Sequence, residues 1–178
     1  KTLLAASAVA RVFSAYLNRH AGLVLWVVPN DAIYRQTMKA LSDRDHPYRQ
    51  ILNVAGAGRV KILDKNSPLS RLDVDSHLCV MVLMLASAAR QSKETLRFFR
   101  DRGNVLGFLP REDDIEAHWD LLSRVPNLDV YAPWGGGEVA QSAARRQKGS
   151  IVKSSLGNAM RLLRPMVVID EGHHGYTE

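Results

Sequence analysis

The sequence predicts an α/β protein built on a mainly parallel sheet flanked by helices. Three observations carry that expectation. LVLWVV (23–28) and LCVMVLML (78–85) are unbroken apolar, β-rich runs of the kind that suits strands buried on both faces. A shorter run, MVVI (166–169), reads as a third strand of the same fully buried kind. Helical patterns separate these runs, and strands alternating with helices imply right-handed crossovers in a parallel sheet.

The elements follow in order. Residues 2–18 read as a helix, because Leu3, Leu4, Ala8, Val12, Ala15 and Tyr16 recur at helical spacings. The basic start and small residues also suit a secretory leader, but Arg11 and the absent cleavage pattern favour an amphipathic helix. Ala21-Gly22 breaks that helix, the first strand follows, and Pro29 ends it. Asn30 or Asp31 then caps a second helix reaching about Leu41. A short strand is expected at Val60–Leu63, before a polar loop containing Asn66-Ser67-Pro68. Beyond 78–85, helices are expected around 91–102 and 113–123, with a loop-rich stretch at 126–138. Ser154 or Ser155 caps a helix to about Leu163, Pro165 blocks its continuation, and 166–170 forms the last strand. The segment 90–150 is long for one crossover and reads as an elaborated insertion.

At 178 residues the chain holds one domain with a real core. Its 46% hydrophobic and 24% charged residues are ordinary for a soluble globular protein. No apolar run approaches the roughly 20 residues of a membrane helix. The single cysteine, Cys79, excludes an internal disulfide framework and suits a reducing, cytoplasmic setting. A net charge of +6 suggests a polyanionic partner, nucleic acid being the commonest. Basic residues cluster at Arg97, Arg100 and Arg102 and again at Arg145, Arg146, Lys148 and Lys153, where a solvated surface is the plain alternative.

The last strand runs directly into Asp170, Glu171, Gly172, His173 and His174. Three chemistries compete for that tip. A helical zinc site needs histidines four apart on one face, whereas these two are adjacent and diverge, and Cys79 has no cysteine partner. A pair of hydrolytic carboxylates is no better served, since neighbours on an extended chain point to opposite faces. Glu112, Asp113, Asp114 and Glu116 are explained by the start of a helix, where acids favour the dipole. The third chemistry is a nucleotide site, because α/β sheets bind ligands beyond the carboxyl ends of their strands. It demands a phosphate-binding loop, and only the closing Lys-Thr of such a motif is present, at Lys1-Thr2 ahead of a helix.

Here the residues resemble a family. DEGH (170–173) looks like motif II of superfamily-two helicases and translocases, and Lys1-Thr2 like the end of motif I. VPNDAIYRQT (28–37) is similar to motif Ia. KSSLGNAMRLLRPMVVIDEGHHGY (153–176), LMLASAARQSKETLRFFRDRGN (83–104) and the PNLDVY element resemble the helicase subunit of type III restriction enzymes. The resemblance covers essentially the whole chain. It implies an incomplete RecA-like P-loop NTPase domain, cut between the end of motif I and just past motif II. The motif I glycines, the Ser-Ala-Thr motif, the second motor domain and a nuclease core are not in the sequence.

The resemblance also implies roles. Lys1 would contact phosphate, and Thr2 and Asp170 would hold Mg²⁺. Glu171 would activate the hydrolytic water, and His173 would link the nucleotide site to the nucleic acid. Pro29, Asn30, Gln36, Ser87 and Arg90 would lie along a nucleic-acid strand, although strand ending and helix capping explain Pro29 and Asn30 equally well. Trp119 and Trp134 are read as packing residues rather than base-stacking ones, and Trp26 as core. The implied cofactors are ATP and Mg²⁺; the implied partners are double-stranded DNA and a modification (methyltransferase) subunit. The rival readings are a superfamily-two helicase outside restriction and a non-catalytic nucleic-acid-binding domain with a decayed ATP site.

Overall fold

The structure, a computed structural model, describes residues 2–84, 104–131 and 149–170. Helix α1 spans Thr2–Arg11 and passes into a π-helical turn over Val12–Tyr16. Strand β1 follows at Gly22–Val28, then α2 at Asp31–Ser42, α3 at Pro47–Ala55 and β2 at Val60–Leu63. A short strand β3 (Leu69–Ser70) leads into α4 (Arg71–Ser76) and then β4 (Leu78–Met84). Beyond 103 come β5 (Val105–Leu106), α5 (Ile115–Arg124), α6 (Leu156–Leu163) and β6 (Met166–Ile169).

The four longer strands form one sheet in the order β2-β4-β1-β6, and every pairing is parallel. The fold is therefore α/β with a parallel sheet flanked by helices, as the alternation of apolar runs predicts. Val28 lies level with Met84, and Val27 level with Ile169, so Pro29 and Asp170 emerge at the same, carboxyl edge. The backbone N–H of Asp170 extends the ladder by donating to the Val27 carbonyl at 2.8 Å.

Alternating side chains divide the core between the two faces of the sheet. On one side Val24, Trp26, Val28, Val80 and Val82 pack against Ala6, Val9 and Phe13 of the first helix and Leu41 and Leu52 of the next two. On the other, Leu23, Leu25, Cys79, Met81 and Leu83 meet Leu69, Val74, Val105, Leu156 and Ala159. A satellite cluster of Leu122, Leu128, Val130 and Val152 sits under α5. Burial of β1 and β4 on both faces is what their continuous apolar runs require.

The last strand departs from expectation. Among the described residues it lies at the end of the sheet, paired to β1, and Val167 and Ile169 are 54% and 57% exposed. Only Met166 and Val168, level with Val24 and Trp26, turn toward the packed face. The first helix also differs from the expected 2–18, because its last turn widens into a π-turn. That turn carries Phe13 over Gly22, where a Cβ would lie 2.8 Å from the ring. Gly22 has φ +149, so both conformation and space exclude a side chain there. Helices α3 and α4 and the small parallel pair β3-β5 were not expected. The helix expected at 91–102 lies outside the described residues.

Candidate functional site

The carboxyl edge gathers its side chains from both ends of the chain. Asp170 leaves β6 and is 5% exposed. Its Oδ2 accepts from the Thr2 hydroxyl at 3.1 Å and from the Trp26 indole N–H at 3.4 Å. Thr2 opens α1, which packs on the same face of the sheet as Trp26, so the helix start is delivered to the strand tip. Among the described residues Asp170 forms no salt bridge and its Oδ1 accepts no hydrogen bond.

The energetics of that carboxylate point outward. Removing an isolated carboxylate from water costs several kcal/mol, and each hydrogen bond to a charged group returns only about 1.5–3 kcal/mol. A buried acid held by two donors and no cation is therefore suited to receive one. Mg²⁺ fits this donor set, because it commonly takes one or two protein oxygens and fills its octahedron with water and phosphate oxygens. Among the described residues no three His, Cys, Asp or Glu side chains come together.

Thr2 and Asp170 line one end of a cavity of about 360 Å³ bounded by α2 and the start of α3. Gln36 and Lys39 from α2, Asp43 at its C-cap, and His46 and Tyr48 also line it. The His46 and Tyr48 rings meet edge to face, with centroids 4.4 Å apart. Thr37, also on the wall, is 3% exposed, and among the described residues its hydroxyl has no hydrogen bond. The cavity thus offers a hydroxyl and a carboxylate, both buried, beside an ammonium group and an amide.

The proposed nucleic-acid residues sort differently. Asn30 is the N-cap of α2, and its Oδ1 accepts from the Ile33 N–H at 3.0 Å. That bond satisfies one of the helix's open donors and is worth about 1 kcal/mol. Pro29 sits between β1 and this cap at the carboxyl edge, and Gln36 is exposed one turn further along. Lys1, Ser87, Arg90, Glu171 and His173 lie outside the described residues, as do Trp134 and most of the basic clusters. Asp114 caps α5 by accepting from the Ala117 N–H, with Glu116 in the first turn, which accounts for that acidic group as a helix start.

Two features escaped the sequence. The Trp26–Asp170 contact joins a core residue to the site across 144 positions, and nothing in either segment signals it. Thr37 stands on the buried face of an amphipathic helix, where a threonine carries no mark of function. Comparison with family models, with curated proteins and with solved structures gives no match. What stands is an α/β protein with a parallel sheet and, at its carboxyl edge, a buried acid joined to the first helix.

Proposed function

We propose that this chain forms most of the first RecA-like domain of a superfamily-two motor, of the kind in the helicase subunit of type III restriction enzymes. It would bind ATP with Mg²⁺ and couple hydrolysis to movement along, or switching on, double-stranded DNA. The single observation that carries the reading is the Thr2–Asp170 hydrogen bond at 3.1 Å. The resemblance makes these two residues the end of motif I and the start of motif II, which would share one metal. Their 168-residue separation gives no local reason for them to meet.

Thr2 and Asp170 would hold Mg²⁺, which when bound neutralises phosphate charge and orients the nucleotide. Lys1 would contact the phosphates, Glu171 would take the proton of the attacking water, and His173 would carry the state of the site toward the nucleic acid. Pro29, Asn30, Gln36, Ser87 and Arg90 would follow one DNA strand along the carboxyl edge. A modification (methyltransferase) subunit would supply recognition, and the protein would act in the cytoplasm. The test is Mg²⁺-dependent ATP binding and duplex-stimulated hydrolysis by the full-length protein. Both should be present in the parent and lost in Asp170→Asn; a variant matching the parent in both would remove the basis of the proposal.

A further inference from the structure

The geometry points to Trp26 as a positioning residue for the metal-binding carboxylate, through its indole N–H. The inference rests on the nucleotide-site reading above and adds to it a residue outside every motif that suggested the site. Trp26 lies in the middle of β1, a central strand, and is fully buried. Its ring belongs to the buried cluster with Ala6, Val9 and Val24 on one face of the sheet. A buried indole N–H needs an acceptor, and the one it has among the described residues is Asp170 Oδ2, at 3.4 Å.

The same oxygen accepts from Thr2. These two donors differ in kind. Thr2 stands at the start of a helix, with its hydroxyl free to rotate and itself a metal ligand in the reading above. Trp26 is a rigid donor from the sheet and cannot be a ligand, since an indole N–H offers no lone pair. With Oδ2 held from the sheet side, Oδ1 remains the oxygen with no protein donor among the described residues. Trp26 therefore fixes which carboxylate oxygen faces a cation, whatever the state of Thr2. Groups that orient a metal ligand in this way commonly change metal affinity or activity by about 10–100-fold when removed.

The experiment uses the full-length protein. Trp26→Phe keeps an aromatic ring and removes the donor, so the Mg²⁺ concentration that half-saturates ATP binding should rise about 10-fold. ATP binding without Mg²⁺ should stay at the parental level. Val24→Ala, a cavity in the same strand, controls for loss of packing and should lower stability without moving the Mg²⁺ requirement. In protein labelled with ¹⁵N at its indole nitrogens, the Trp26 N–H resonance, assigned by substituting each of that protein's other tryptophans in turn, should move on adding Mg²⁺ with ATP and again in Asp170→Asn. An unchanged Mg²⁺ requirement in Trp26→Phe, or an indole resonance indifferent to Asp170→Asn, overturns the inference. Should Trp26→Phe fail to fold, the resonance in the parental protein decides alone. Failure of the nucleotide-site reading has a different signature: Asp170→Asn itself would keep the parental Mg²⁺ dependence.

Discussion

Asn158 pairs with the backbone of Asp129 on both sides. Its Oδ1 accepts from the Asp129 N–H at 2.8 Å, and its Nδ2 donates to the Asp129 carbonyl at 2.9 Å. The same Nδ2 reaches the Lys153 carbonyl at 2.8 Å, while Arg161 donates to both Asp129 Oδ2 and Asn158 Oδ1. A fully buried amide thus stands where a neighbouring strand would, tying α6 to the loop ahead of it. With two buried and two partly buried hydrogen bonds lost at about 1 kcal/mol each, Asn158→Ala should cost roughly 3–4 kcal/mol. The urea midpoint should fall with an unchanged slope.

Cys79 lies within β4 and is fully buried. Burial pushes its thiol up to about 12, with the nearby Asp73 charge adding to the effect. The thiolate that alkylating reagents require is therefore scarce at neutral pH. Native protein should resist iodoacetamide and react in urea, with the modification read by mass. Rapid labelling of the folded chain would contradict this burial.

Lys61 on β2 donates to Asp73 of α4 at 2.8 Å, and this bond, with that from Ser70, holds the Asp73 carboxyl below its ordinary value of 3.8. A carboxylate depressed on folding contributes stability that is present above its unfolded value and is lost as pH falls through the folded one. Both partners are partly exposed, so the pair is worth about 0.2–1 kcal/mol. Lys61→Met should lower stability by that amount at pH 7, and the difference from the parent should shrink in acid well below the ordinary value of 3.8. Denaturation curves at the two pH values measure it.

Glu171→Gln and Lys1→Ala should fail in different ways in the full-length protein. The first removes the group proposed to activate water and leaves the phosphate and Mg²⁺ contacts, so ATP should bind and persist. The second removes a phosphate contact, so affinity itself should drop. Nucleotide binding and single-turnover hydrolysis on both variants separate the roles. Hydrolysis at the parental rate by Glu171→Gln would refute its assignment.

Phosphate contacts release counterions, so DNA affinity of the full-length protein should fall steeply with added salt. Arg90→Glu should weaken binding to all sequences alike and flatten the salt dependence. Affinity indifferent to salt would leave the net charge of +6 as an ordinary solvated surface.

The sequence made some of this legible and hid the rest for physical reasons. Residues 23–28 and 78–84 were readable as strands because burial on both faces leaves no polar residue to blur the run. The run 166–169 looked identical, yet among the described residues it ends the sheet, since apolarity records what a residue tolerates and not what covers it. Helix α3 was hidden because its start depends on a His46 cap and on Pro47 at its first position, a pairing with little pattern of its own. At the carboxyl edge, resemblance to motifs singled out Thr2 and Asp170, which the structure joins by a hydrogen bond of 3.1 Å. Trp26 was read correctly as core, and its contact with Asp170 was invisible because it depends on register between β1 and β6.

The open flank of β6 governs how the protein will behave in the laboratory. Among the described residues no strand pairs with its outer edge, and Val167, Ile169, Leu3 and Leu4 present apolar surface around it. A β-rich edge with bare backbone donors and acceptors is a template for another chain. If nothing else covers that flank, growth of concentrated preparations on storage would run through strand addition rather than unfolding. Lysine at 167 would blunt the edge from its solvent face, leaving Met166 and Val168 to hold the strand in place.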